Sequence, residues 1–124
     1  MLLQQRSRHK SAGPLLFDTS VGGLVTSGLS YEETAKKEIM EELGIKPPLK
    51  FLTKFKDYRE NGKFFSMNGL FVATHNGPFS NWEAEAERLE WMTMDEIKHM
   101  TSRFPYLFTA GFMRAFEEYL KYTK

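Results

Sequence analysis

The fold is decided by the stretch from Gly22 to Ile45, which reads GGLVTSGLSYEETAKKEIMEELGI. Ser30 is followed three residues later by Glu33, the capping-box pattern in which each side chain binds the other residue's free backbone N–H at the start of a helix. Gly44 suits the left-handed backbone conformation that commonly ends a helix. The stretch therefore predicts a helix over residues 31–43.

The second half of this predicted helix carries three carboxylates, those of Glu38, Glu41 and Glu42. Their i, i+3, i+4 spacing places them on one side of the helix, where they repel each other and face the negative end of the helix dipole. A bound cation would remove both penalties, and a carboxylate cluster without His or Cys suits Mg²⁺ or Mn²⁺. The alternative interpretation is an acidic helix face in contact with water.

The whole stretch resembles the Nudix box, the motif of the Nudix hydrolase superfamily. The matching positions are Gly23, Glu38, Ile39, Glu41, Glu42, Gly44 and Ile45. Two positions depart from the motif, since Leu29 stands where the family has its first Glu and Lys37 stands where it has Arg. The resemblance implies an α/β fold, a Nudix-type α/β/α sandwich with a mixed sheet flanked by helices.

The resemblance also implies a metal-dependent activity. In the family the carboxylates of the box bind divalent metal for the attack of water on a diphosphate linkage, so Glu38 and Glu42 would be the principal metal ligands here. Glu41 would be a further ligand or the base that deprotonates water. The backbone positions of the motif are Gly22, Gly23 and Gly44.

Outside the box, the chain resembles the Nudix branch nearest to type I isopentenyl diphosphate isomerase. In the isomerase the cations that match Arg6 and Lys10 contact the diphosphate, which makes these two residues candidate phosphate ligands. The alternative is a basic loop in contact with water. Glu85 matches an acidic position that often completes the metal or base set in this branch, with Glu83 and Glu87 as rival candidates.

Isomerase activity itself is not expected. The catalytic Cys of the isomerase corresponds to Gly22, its metal-binding His corresponds to Leu24, and the chain contains no Cys. Isomerisation of that kind needs the Cys for proton transfer at carbon. The resemblance therefore implies a hydrolase.

Composition limits the other functional classes. The 124 residues, 41% of them hydrophobic, predict a single domain over residues 1–124. The formal net charge of +1 creates no field that would recruit nucleic acid or an anionic membrane. The lack of Cys and of any apolar run long enough to span a membrane favours the cytoplasm.

The remaining segments predict a sheet with flanking helices. Strands are expected over residues 2–6, 49–58 and 64–74 and near 89–92, with a turn at Glu60-Asn61-Gly62, a helix from Met94 and a last helix with an apolar stripe. Members of the resembled branch usually carry a further strand before the segment that matches Leu2-Leu3-Gln4. Either the sequence is truncated, or a partner chain completes the sheet across an open edge, which predicts a homodimer.

Two functions follow from the residues and the resemblance. The first is a Mg²⁺-dependent Nudix hydrolase that cleaves a nucleoside diphosphate derivative or a related small diphosphate. The second is a degenerate Nudix domain that binds such a ligand, or a protein partner, without hydrolysis. Leu29 and Lys37 favour the second, because Lys cannot hold a carboxylate in the bidentate geometry of Arg.

Overall fold

The computed structural model describes residues 1–22, 28–58 and 61–123, so Gly23 and Glu60 lie outside the described residues. The strands are β1 (Leu2–Arg6), β2 (Phe17–Thr19), β3 (Lys50–Tyr58), β4 (Phe64–Val72) and β5 (Ala86–Trp91). The helices are α1 (Tyr31–Leu43), α2 (Met94–Arg103) and α3 (Ala110–Lys121), with short 3₁₀ turns at Trp82–Ala84 and Pro105–Leu107. Within these described ranges, no helix is both long and apolar enough to cross a lipid bilayer.

Strand β1 lies at the centre of a three-stranded antiparallel sheet, between β2 and β5. Successive side chains of a strand point to opposite faces. The fully buried Leu3 packs against Ile97 of α2 and Phe112 of α3 on one face. Leu2 packs against Leu43 at the end of α1 on the other face. Helices therefore cover both faces, which confirms the predicted α/β sandwich.

Helix α1 begins and ends at the predicted residues. The backbone N–H of Glu33 donates to the Ser30 hydroxyl over 3.1 Å, and the backbone N–H of Ser30 donates to the Glu33 carboxylate over 3.2 Å. At the other end Gly44 has a φ of 68° and donates its N–H to the Met40 carbonyl over 3.0 Å. These contacts are local in sequence, which is why the sequence predicts them correctly.

Strands β3 and β4 form a separate two-stranded antiparallel sheet that is attached to two helices. Gly69 of β4 lies against Tyr31 of α1, where an added Cβ would be 3.0 Å from the Tyr31 ring. On β3, Asp57 forms an ion pair with Arg114 of α3. The Arg114 guanidinium also donates to the Tyr58 carbonyl over 2.9 Å. The hairpin is thereby held to both α1 and α3.

The strands differ from the predicted ones in number, in where the last one begins and in how they pair. The short strand β2 was not predicted, and it forms where the carbonyl of Phe17 accepts the Thr109 N–H over 2.9 Å. Strand β5 begins at Ala86 rather than near Leu89, because its pairing with β1 extends back to Arg6. The described strands also form two sheets rather than one. A period-2 pattern identifies strands, but it does not show which strands pair.

Candidate active site

Glu38 and Glu42 lie one turn apart on α1. Burial, the neighbouring Glu38 carboxyl and the negative charge of Glu85 together raise the pKa of Glu42 to about 8, and burial is the largest of these causes. The backbone N–H of Gly22, which binds the Glu42 carboxylate, lowers this pKa. The charged form of Glu42 is therefore unfavourable when no cation is bound. A cation beside the carboxylate would favour the charged form.

Glu41 has a counter-ion of its own. Lys37, one turn earlier on α1, places its Nζ 3.6 Å from Glu41 Oε1, and the two side chains are 45% and 55% exposed. The i, i+3, i+4 spacing predicted repulsion among three carboxylates without a counter-ion, but Glu41 has one in Lys37. The i, i+4 spacing of Lys37 and Glu41 was the signal that could have shown it.

Glu85 reaches the site from a different part of the chain. It immediately precedes β5, and its negative charge acts on Glu42. The backbone N–H of Ser80 donates to the Leu43 carbonyl over 2.9 Å and so joins the segment before Glu85 to the end of α1. A Cβ on Gly44 would overlap the Ser80 hydroxyl. Only glycine therefore allows this close approach, and the role of Ser80 was missed because it depends on tertiary contact.

The two candidate phosphate ligands, Arg6 and Lys10, are both paired with carboxylates. Arg6 donates its Nε–H to the Ala12 carbonyl over 3.0 Å, and its Nη1 lies 3.5 Å from Asp18 Oδ2. Lys10 forms a close ion pair with Glu85. The segment is therefore not simply a solvated basic loop, and Lys10 is brought directly to the carboxylate site.

The rival acidic residues have other surroundings. Glu87 accepts hydrogen bonds from the Arg8 backbone N–H at 2.9 Å and from the guanidinium Nε and Nη2 at 3.0 and 3.2 Å. These bonds hold the pKa of Glu87 below its usual range. Glu83 is exposed in a 3₁₀ turn. Of the three residues, Glu85 is the one whose charge helps to raise the pKa of Glu42.

Asp18 links Arg6 to the start of α3. The sequence indicated only that Asp18 is part of a turn. It accepts a hydrogen bond from the Thr109 hydroxyl over 3.0 Å in addition to its ion pair with Arg6. The Thr109 hydroxyl in turn accepts the Phe112 N–H over 3.0 Å at the start of α3. Arg6 is thus positioned through Asp18 by the last helix.

The carboxylates provide the oxygen donors that a hard divalent cation prefers. Within residues 1–22, 28–58 and 61–123, no three His, Asp or Glu side chains already converge as a ligand set. Glu38 and Glu42 lie one turn apart on α1, and Glu85 is held by Lys10. Carboxylate oxygens are the ligands that Mg²⁺ and Mn²⁺ prefer, so Glu38 and Glu42, together with Glu41 or Glu85, could hold such an ion.

Known proteins are similar to this chain in sequence. The family model described as NUDIX domain matches residues 1–112. The chain is 33% identical over 111 residues to an uncharacterised Nudix hydrolase of Yersinia pestis, covering 84% of this chain and 57% of that protein. It is 30% identical over 130 residues to a prenyl-diphosphate phosphatase of Methanosarcina mazei, covering 95% of this chain and 72% of that protein.

A solved structure shows the same fold. A MutT NUDIX hydrolase of Burkholderia pseudomallei aligns with a TM-score of 0.70 at 26% identity, covering 94% of this chain and 85% of that one. The chain spans 57% of the length of the first curated relatives that it matches, which is little more than half.

Proposed function

This chain belongs to the Nudix family, and we propose that it is a Mg²⁺- or Mn²⁺-dependent hydrolase of a small diphosphate. The substrate class is a nucleoside diphosphate derivative or a related small diphosphate. The observation that carries the proposal is the position of Glu38 and Glu42 one turn apart on α1, where the charges of Glu38 and Glu85 both act on the partly buried Glu42 carboxyl. Such a cluster of carboxylates is unfavourable without a cation and provides the ligands that a hard cation prefers.

In this proposal Glu38 and Glu42 are the principal metal ligands. A bound divalent cation would neutralise charge on the diphosphate oxygens and lower the pKa of a water molecule. Glu41 or Glu85 accepts the proton of the attacking water, and either also completes the ligand set. The Lys37 ammonium lies 3.6 Å from the Glu41 carboxylate, and a carboxylate is the kind of group that can act as a general base.

Arg6 and Lys10 are proposed to contact the diphosphate. Arg6 is the last residue of β1 and Lys10 lies on the segment that joins β1 to β2, where Lys10 is already in contact with the carboxylate site through Glu85. Cations placed beside a metal site can neutralise the phosphate oxygens that the metal does not reach. Because both side chains are partly exposed, they remain accessible to a ligand.

The finer substrate class follows from the resemblance to the isomerase branch and from one relative. A protein 30% identical to this chain is a prenyl-diphosphate phosphatase. We therefore include prenyl diphosphates among the small diphosphates proposed. Isomerase activity is not proposed, because the chain contains no Cys. The small net charge of +1 likewise favours a small-molecule ligand over nucleic acid or a membrane surface. The lack of Cys favours a cytoplasmic location.

A homodimer is part of the proposal. Strand β4 reads FFSMNGLFV and has no charged residue, whereas β3 carries Lys50, Lys54 and Lys56. Within the described part of the chain, β4 pairs with β3 alone. A long uncharged edge strand is prone to pair with another chain. Two copies of β4 can pair because no like charges would lie opposite each other. Solution scattering at micromolar concentration should show a dimer, and a monomer would contradict this part.

A second candidate function is ligand binding without hydrolysis. Its support is the contact between Lys37 and Glu41, in which a single ammonium lies 3.6 Å from the carboxylate. The Arg expected at this position in the family would hold a carboxylate by two parallel bonds. A loosely held carboxylate would leave binding intact while slowing the chemical step.

The test is release of phosphate and nucleotide from nucleoside diphosphate derivatives, prenyl diphosphates and small diphosphates with Mg²⁺ or Mn²⁺. Glu42→Gln should lower turnover by about two orders of magnitude. Glu32→Gln is the matched control, because Glu32 lies on the same helix but pairs with Lys36 at 3.4 Å on an exposed surface. Metal-dependent binding of a diphosphate without turnover would favour the second candidate, and neither binding nor turnover would contradict both.

A further inference from the structure

We propose that Lys10 is a built-in counter-cation of the carboxylate site, which holds Glu85 in the metal-free protein and competes with the divalent cation for it. This inference rests on the proposed function, since it concerns the same three carboxylates. The contact that carries it is the close ion pair between the Lys10 ammonium and Glu85 Oε2. Glu85 is also the carboxylate whose charge acts on Glu42 from outside α1.

The segment that carries Lys10 is held in place without the Lys10 side chain. The backbone N–H of Ser7 donates to the Glu85 carbonyl over 3.1 Å, and the backbone N–H of Lys10 donates to the Ser7 carbonyl over 3.1 Å. Arg8 adds three hydrogen bonds to Glu87. The Lys10 side chain can therefore release Glu85 while the segment keeps its position.

Both partners of the ion pair are open to exchange. The side chains of Lys10 and Glu85 are 31% and 45% exposed, so a hydrated cation can approach Glu85 from solvent. A Lys ammonium is a point charge on a flexible stem, and it can change partners without moving the backbone. A divalent cation binding Glu85 would repel the ammonium and take its place on the carboxylate.

Competition of this kind lowers the apparent affinity for metal. Metal binding must break the contact between Lys10 and Glu85. It must also place the doubly charged cation close to the Lys10 ammonium, which repels it. Removal of the Lys10 charge should therefore strengthen metal binding, whereas removal of a merely structural contact would weaken it. The direction of the change thus separates a counter-cation from a structural residue.

The experiment is calorimetric titration of the metal-free full chain with Mn²⁺, without substrate. Lys10→Met should bind Mn²⁺ roughly three- to tenfold more tightly than the wild type, a range set by the free energy of a partly exposed ion pair and the added repulsion. Arg8→Met is the matched control, because it removes a cation from the same segment whose partner is Glu87. It should leave the Mn²⁺ affinity close to that of the wild type.

Lys10→Arg provides a second arm, because it keeps the positive charge. Its Mn²⁺ affinity should stay at or below that of the wild type, and circular dichroism should verify that each variant is folded. Unchanged or weaker Mn²⁺ binding by Lys10→Met, or equal tightening by Lys10→Arg, would overturn the inference while leaving the proposed function standing. Absence of Mn²⁺ binding by the wild type would overturn both.

Discussion

The backbone N–H of Ser80 donates to the Leu43 carbonyl over 2.9 Å, so the segment that leads to Glu85 is joined to the last turn of α1. Gly44 makes this contact possible, because its left-handed φ of 68° turns the chain and its missing side chain leaves room for the Ser80 hydroxyl. The end of the helix therefore also anchors the segment that leads to Glu85.

Substitution of Gly44 by Ala should destabilise the protein through two separate effects. Ala is strained by about 1–2 kcal/mol in the left-handed region, and overlap with Ser80 should add about 1–3 kcal/mol. Gly62→Ala is the matched control, because Gly62 has a φ of 81° and open space around it. Urea unfolding should show the larger loss for Gly44→Ala, with partial recovery in Gly44→Ala/Ser80→Ala. Equal losses for Gly44→Ala and Gly62→Ala would contradict the role of the overlap.

The raised pKa of Glu42 predicts how the stability of the metal-free protein depends on pH. Its folded-state pKa of about 8 exceeds the ordinary value of 4.5, so the folded state binds the proton more tightly than the unfolded state. The stabilisation is fully present below pH 4.5 and is lost as the pH rises through about 8.

Glu42→Gln should remove this loss. At pH 8.5 the metal-free variant should be more stable than the wild type by about 1–2 kcal/mol, less than the full shift implies because water partly screens the group. Thermal unfolding in chelator from pH 5 to pH 9 measures the difference, with Glu32→Gln as the control. Identical pH profiles for wild type and Glu42→Gln would show that the Glu42 carboxyl is not destabilised in the folded protein.

Lys37→Arg should improve the carboxylate site. The guanidinium can hold Glu41 by two parallel hydrogen bonds, whereas the Lys37 ammonium makes a single contact at 3.6 Å. Metal affinity and turnover should each rise roughly two- to tenfold, which is at or below the lower end of the range of about 10- to 100-fold for residues that orient ligands. Lys36→Arg on the same helix is the control, because Lys36 pairs with Glu32. If both quantities stay unchanged in Lys37→Arg, the contact with Glu41 does not limit the site.

The ion pair between Arg114 and Asp57 should couple α3 to the hairpin. The Asp57 side chain is only 17% exposed and also accepts a hydrogen bond from Asn68 over 3.4 Å. A double-mutant cycle with Arg114→Met and Asp57→Asn should give a coupling energy of about 1–3 kcal/mol in urea unfolding. Additive losses of stability in the double variant would show that the two side chains act independently.

The parts of the site that are local in sequence were predictable. Ser30, Glu33 and Gly44 fix the ends of α1 through contacts within a few residues, and α1 carries Glu38 and Glu42 at a spacing that brings them together. The surroundings of Glu41 were also within reach, because Lys37 lies one turn away on the same helix. The strand over residues 2–6 was likewise predicted with its correct bounds.

The contacts that complete the site join positions far apart in the chain. Lys10 and Glu85 are separated by 75 positions, and Asp18 and Thr109 by 91. Helical spacing and strand alternation carry no information about such pairs, because they report only which side of an element a residue occupies. The sequence by itself determined the helix and two of its carboxylates. Only the tertiary structure decided that Glu85 faces them with Lys10 as its counter-ion, because the packing of β1 and β5 brings those segments together.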